Sequence, residues 1–301
     1  MASAINYDRC LCCGSAAINK VFECKDYTVS NKYFEIWKCN ACTFRFTQMV
    51  PAEAAIGAYY QSSDYVSHSD TKKGLVNRLY HYVRNFTLTT KLNLIEKVTN
   101  VKNGILLDVG AGTGAFAFTM QQAGWNVTGL EPDEIARANA LKNHQLQLEE
   151  LSKLDSLSPD TFDAITLWHV LEHVHDLQGY LENFLKILKP AGRLVIAVPN
   201  HTSYDANFYK QYWAAYDVPR HLYHFSPKSM QILLEQKGFV IESFKPMWFD
   251  SFYVSMLSEK YRYGKDQLMS AVWIGLLSNI KALFNTKRCS SVIYVIKKKQ
   301  G

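Results

Sequence analysis

Gly104-Ile-Leu-Leu-Asp-Val-Gly-Ala-Gly-Thr-Gly-Ala-Phe116 joins a strand pattern, a glycine loop and the start of a helix without interruption. Ile105, Leu106, Leu107 and Val109 form a short apolar run. Its length suits a buried parallel strand and falls short of a core helix. The run carries Asp108 and then breaks into glycines at alternate positions, Gly110, Gly112 and Gly114. Such a loop turns sharply and lets a ligand approach the main chain. Ala115, Phe116, Phe118 and Met120 follow with helical character, so the loop sits on a helix N-terminus. About twenty residues further on, in keeping with the usual spacing of this motif, a second run (Val127 to Leu130) ends in Glu131-Pro132. A carboxylate at that place accepts hydrogen bonds from a ribose diol. The pattern predicts a nucleoside-binding α/β half-fold.

The glycines also fit the relaxed dinucleotide fingerprint, and an NAD-dependent Rossmann enzyme is the first alternative. Asp108 argues against it, because a carboxylate two residues before the first glycine faces a pyrophosphate with like charge. It suits a cationic ligand such as S-adenosylmethionine (SAM). Asp108-Val-Gly-Ala-Gly-Thr-Gly114 with Glu131-Pro-Asp133 resembles motif I and its acidic partner in class I SAM-dependent methyltransferases. Phe162-Asp-Ala-Ile-Thr-Leu-Trp-His-Val-Leu-Glu-His173 and Leu188-Lys-Pro-Ala-Gly-Arg-Leu-Val-Ile-Ala-Val-Pro-Asn200 extend that resemblance over roughly residues 90 to 245. It implies a Rossmann-like sheet of seven strands, with Leu146 to Leu148 as the third. It also implies SAM contacts from Asp108, Gly110, Ala111, Gly112, Gly114, Glu131, Pro132, Leu151, Trp168 and His169.

Residues 1–50 read as a small module of their own. Cys10 and Cys13 are followed, after 25 intervening residues, by Cys39 and Cys42. Paired CxxC knuckles match tetrahedral Zn2+ ligation in a zinc ribbon, with metal binding making up for a small core. Cys12, Cys24 and Cys289 are read as spectators. A ribbon ahead of such a domain resembles enzymes that C-methylate nucleotide-linked deoxysugars, although those usually carry a further C-terminal domain. Residues 51–100 form a tyrosine-rich connector and N-terminal helices, and residues 101–301 the methyltransferase domain. In the sugar enzymes a Tyr-x-Ser-Ser stretch lies by the substrate, which nominates Tyr60 and Tyr65.

His169-x-x-Glu172-His173 formally matches an inverted zinc-protease signature, but it falls on the loop leaving a strand rather than on a long helix. Ubiquinone-pathway O-methyltransferases show a comparable Glu-His pair, which raises a divalent metal as a second role. The lid segment 201–225 carries Asp217, Arg220, His221 and His224 after Asn200, at the end of a strand where acceptor contacts arise. Asn200 and Arg220 are the substrate-binding candidates. His221, then His224 or His169, is the candidate general base, since imidazole titrates near neutrality.

Residues 246–290 form a helical insertion with apolar positions at helical spacing. It covers the active site or, through 266–288, forms a membrane-surface or dimer contact. Hydrophobic residues make up 48% and charged residues 20% of the chain, an ordinary globular balance. The net charge of +6 is scattered rather than patched, so nucleic acid is not expected and a small-molecule acceptor is. No apolar segment opens the chain and no run reaches the length of a membrane span, so cytoplasm is the expected compartment. A non-catalytic zinc-ribbon and SAM-fold binding protein is the second alternative.

Overall fold

The computed structural model describes residues 4–61 and 75–299, with side chains from residue 83 onward in the second stretch. Tyr65 lies outside the described residues. The N-terminal part holds β1 (Ala4–Ile5), β2 (Ile18–Lys25), β3 (Tyr33–Cys39), β4 (Arg45–Thr47) and β5 (Val50–Pro51). The larger part holds β6 (Ile105–Val109), β7 (Asn126–Leu130), β8 (Phe162–Trp168), β9 (Leu188–Pro199), β10 (Tyr223–His224), β11 (Phe239–Pro246) and β12 (Ser291–Lys298).

The central sheet runs β11-β12-β9-β8-β6-β7. β7, β6, β8 and β9 are parallel, and β12 runs antiparallel between β9 and β11. Leu106, Leu107, Ile165, Leu167 and Leu194 through Val198 are fully buried, as strands covered on both faces require. Neighbouring strands lie on opposite sides of β6, so a crevice opens at the C-terminal tips of β6 and β7. Helix starts are set by local capping. Asp133 accepts from the Ala136 N–H at 2.6 Å, and Ser226 with Ser229 makes a reciprocal box.

The central sheet has six strands among the described residues, where seven were expected. The segment Leu146 to Leu148 meets the sheet edge only through one parallel bridge between Leu130 and Glu149. The preceding helix ends at His144 with Gln145 left-handed, and a 3-10 turn begins at Leu151. Too few extended residues remain for a ladder, and Leu146 and Leu148 instead cap the edge with buried side chains.

The N-terminal strands do not stand apart from the large sheet's interior. β10 pairs with β4, which completes a four-stranded sheet of order β10-β4-β3-β2. Phe44 and Phe46 are fully buried, and Phe44 packs on Tyr223 and Phe225 at ring distances of 5.8 and 5.5 Å. One apolar cluster runs from Cys10, Cys39 and Phe44 to Leu130, Leu167 and Leu181. Each such phenylalanine is worth about 1.5–3 kcal/mol of burial. The apolar core and the cysteines therefore hold this region jointly.

Candidate functional site

Gly110 has φ +68°, and a Cβ there would lie 2.4 Å from Val170 Cγ2, so only glycine fits. Gly112, at φ +56°, faces open space, which leaves the main chain approachable. The N–H groups of Gly110 and Ala111 both donate to Leu130 O, pinning the loop to the tip of β7. Glu131 is buried. Its Oε2 accepts from Gly112 N–H at 2.7 Å and its Oε1 from Asp133 N–H at 3.0 Å. A carboxylate has about four lone-pair sites, so both oxygens can still accept from a diol. Pro132 is exposed beside it, and Leu151 packs against the core at the start of the 3-10 turn.

Asp108 is 2% exposed and accepts from Thr166 Oγ1 at 2.7 Å. Burial raises its pKa to about 7, against the pull of Thr166 and Lys91. Lys91 was not singled out from the sequence. Its ammonium lies 4.1 Å over the Trp168 ring, and desolvation lowers its pKa to about 8. Asp108 and Asp250 pull Lys91 back towards its charged form without offsetting that burial. No local signal pointed to this placement, since its partners lie far away in sequence.

Trp168 ends β8 and meets Phe116 edge-on. His169 follows with φ +59°. Its Nε2 is 2.9 Å from Asp250 Oδ2 and its Nδ1 3.3 Å from Glu172 Oε1. Burial lowers its pKa, but Asp250 and Glu172 outweigh that and raise it to about 10. His169 is therefore a cation at neutral pH and cannot serve as the general base. Its second partner, Asp250, opens the inserted helix Asp250–Tyr263, 81 positions away, and no local signal pointed to it.

Glu172, His173 and His221 gather beyond β8, with their ligand atoms all within 4.8 Å of one another. His173 Nδ1 is 3.1 Å from Arg220 O and His221 Nδ1 is 2.9 Å from Ala215 O. A carbonyl only accepts, so each Nδ1 carries a proton and each neutral ring keeps its lone pair on Nε2. Burial, and then His221, lowers the His173 pKa to about 4. Glu172 is fully buried, and its Oε2 has no hydrogen-bond partner among the described residues. The Tyr60 hydroxyl reaches His173 Nδ1 at 2.9 Å, so the nominated connector tyrosine does touch this cluster.

Two lid candidates and the strand-end Asn200 take other parts. His224 lies in β10, 3% exposed, with Nε2 3.0 Å from Thr47 Oγ1, and burial holds its pKa well below the usual value. It is a sheet residue against the N-terminal strands, not a base. Asn200 is fully buried: its amide donates to Lys287 O and Cys289 O, and its Oδ1 accepts from Thr202. It ties the β9 end to the turn before β12 and has no group left for a substrate. Arg220 is 1% exposed and binds Asp217, Asp26, Thr28 Oγ1 and Tyr59 O. It clamps the lid to the N-terminal strands instead of meeting solvent.

Cys10, Cys13, Cys39 and Cys42 converge, with Sγ–Sγ distances of 3.5 Å (Cys10–Cys42) and 3.6 Å (Cys13–Cys39). A disulfide is about 2.05 Å long, whereas sulfurs around a tetrahedral zinc at about 2.3 Å lie roughly 3.8 Å apart. Cys12 Sγ instead donates to Ser229 O at 3.4 Å, and Cys24 lies in a separate cluster.

A methyltransferase domain model matches residues 80–243, more than half of the chain. The demethylmenaquinone methyltransferase of Tropheryma whipplei is 40% identical over 121 residues, 38% of this chain and 50% of that protein. The human mitochondrial ubiquinone biosynthesis O-methyltransferase is 28% identical over 182 residues, 53% of this chain and 49% of its own length. Its counterpart in Rickettsia bellii is 25% identical over 234 residues, 71% of this chain and 92% of that protein. The chain thus spans about half the length of the first two relatives. Among solved structures, a SAM-dependent methyltransferase from Archaeoglobus fulgidus is 19% identical with a TM-score of 0.48, covering 72% of this chain and 94% of its own. With motif I, its acidic partner and the β8 and β9 segments all inside the matched region, the chain belongs to the methyltransferase domain family, as a member of the class I SAM-dependent type.

Proposed function

We propose that the chain moves the methyl group of SAM to a hydroxyl or acidic carbon of a small acceptor. The observation that carries the reading is the pair Asp108 and Glu131, two buried carboxylates at adjacent strand tips on either side of an open glycine. Asp108 suits the cationic end of the ligand and Glu131 its ribose diol. SAM supplies an already activated methyl on a sulfonium. The protein has to align the acceptor for in-line attack, exclude water and take one proton.

His221 is the base we assign. Its Nδ1–H is anchored on Ala215 O, so Nε2 holds the lone pair, 4.0 Å from Asp217 Oδ2. The Asp217 carboxylate, itself held by Arg220, stabilises the imidazolium as it forms. His173 and the Tyr60 hydroxyl would orient the acceptor. As the methyl is taken up by the acceptor oxygen, the acceptor's proton passes to His221 and the C–S bond pair stays on sulfur. The demethylmenaquinone and ubiquinone relatives favour a hydroxylated aromatic acceptor over a sugar nucleotide.

Glu172 Oε2 favours an alternative reading of the same cluster, in which His221 is a ligand instead of the base. Two Nε2 lone pairs and an orphaned carboxylate oxygen fit a 2-His-1-carboxylate set for a divalent cation, which would polarise the acceptor hydroxyl. The four cysteines fit a structural Zn2+, and we assign it there. Calorimetry with SAM and NAD, followed by transfer of labelled methyl to a panel of polyhydroxylated aromatics and sugar nucleotides, tests the reading. SAM binding with label in an acceptor supports it. Tight SAM binding with no transfer would point to a binding protein, and NAD binding alone would end the proposal.

A further inference from the structure

The helix Leu268–Phe284 is apolar on two faces. One face, with Ala271, Ile274, Gly275 and Ala282, is buried. At Gly275 a Cβ would come 2.7 Å from Phe252 Cδ1, so the two helices of the hairpin Asp250–Tyr263/Leu268–Phe284 are in close contact. The other face points outward, where a surface helix ordinarily turns polar. Met269 is 89% exposed, Trp273 60%, Leu283 70% and Phe284 88%, with Val272 and Leu276 between them. At about 100° per residue these positions fall within roughly 120° of the helix circumference. Isolated exposed apolar residues are common, but a continuous stripe of this size marks a contact surface.

Charge says what the surface meets. Between Lys260 and Cys289 the basic residues are Lys260, Arg262, Lys265, Lys281, Lys287 and Arg288, and the one acid with an exposed side chain is Asp266. The basic groups bracket both ends of the apolar stripe. A second copy packed on this face about a two-fold axis would bring like charges together. An anionic lipid surface would instead accept the apolar stripe below its headgroups and the basic ends among them. Among the described residues no helix is long and apolar enough to cross a membrane, so the arrangement is one of lying on the surface.

We propose that this hairpin seats the protein on an anionic bilayer, with Leu268–Phe284 lying in the interfacial plane. Because Asp250 of the same hairpin pairs with His169, the surface contact adjoins the lip of the crevice. The proposal is independent of which acceptor is methylated.

The test is flotation of the full chain with phosphatidylcholine vesicles containing 30% phosphatidylglycerol (about the anionic fraction that makes basic segments bind), beside pure phosphatidylcholine vesicles. The comparison protein is the double variant W273E/F284E, which alters only exposed side chains outside the SAM site. Wild-type protein is expected to float with the anionic vesicles and to partition at least about tenfold less onto neutral ones, with release in high salt. The double variant is expected to lose at least about tenfold in partitioning while keeping its melting temperature and SAM affinity. Absence of flotation, or equal flotation by the folded variant, overturns the proposal. So does a wild-type dimer in sedimentation that the variant dissociates while vesicles bind neither protein, which would assign the face to a second copy.

Discussion

Asp108→Asn should stabilise the ligand-free protein and weaken its cofactor binding, two effects of opposite sign from one isosteric change. The carboxylate is 2% exposed and its pKa is raised from 3.8 to about 7, chiefly by burial. A group bound more tightly to its proton in the folded state contributes stability that is full below the unfolded pKa. That contribution is lost as pH rises through the folded value, so the window lies between about pH 4 and pH 7. A shift of about three units at 1.36 kcal/mol each gives a cost of about 4 kcal/mol for the charged form at pH 8. Asparagine keeps the acceptor oxygen for Thr166 and carries no charge, so most of that cost disappears. Lys91 loses an attractive neighbour, which makes about 4 kcal/mol a ceiling for the gain. Binding moves the other way. Loss of one charge-assisted contact to a cationic ligand is worth about 1.5–3 kcal/mol, or 10- to 100-fold in SAM affinity. Urea unfolding at pH 5 and pH 8 reads the first effect and titration calorimetry the second. A variant that is less stable at pH 8, or that binds SAM as tightly as wild type, would refute the assignment of Asp108 as a buried anion facing a cation.

Glu131→Ala should lower SAM affinity by about 10- to 100-fold in calorimetry, since it removes the diol acceptor and the anchor of the Gly112 amide. His221→Ala should leave SAM affinity unchanged and reduce turnover by about 100-fold or more in labelled-methyl assays. His169→Gln should remove a loss of stability that wild type shows as pH rises from about 6.5 towards 10. The histidine is held charged by Asp250 and Glu172 in the folded state, and thermal melts across that range check it. Cys39→Ser should release one zinc equivalent, measured by a colorimetric chelator. It should lower the melting temperature without unfolding the whole chain, because Phe44 and Phe46 keep the strands packed on β10.

What the sequence determined by itself was local. The run Ile105–Val109 with its glycines, the second run ending in Glu131, and the helix stripes are periodic signals whose causes lie within a few residues. The cysteine pairs were legible too, because ligand spacing within each knuckle is fixed by a tight turn. What only the tertiary structure decided depends on contacts between distant segments. His169 looked like a base until Asp250, from an inserted helix, made it a cation. His224 looked like a lid group and Asn200 like a substrate contact at a strand end, until β4 and the turn before β12 took up their polar atoms. Lys91 became part of the site only when its helix placed an ammonium over Trp168. Residue type and spacing announce which chemistry a side chain can perform. Protonation state and availability depend on the charges and donors that folding brings beside it, and at dielectric constants far below that of water those neighbours decide the outcome.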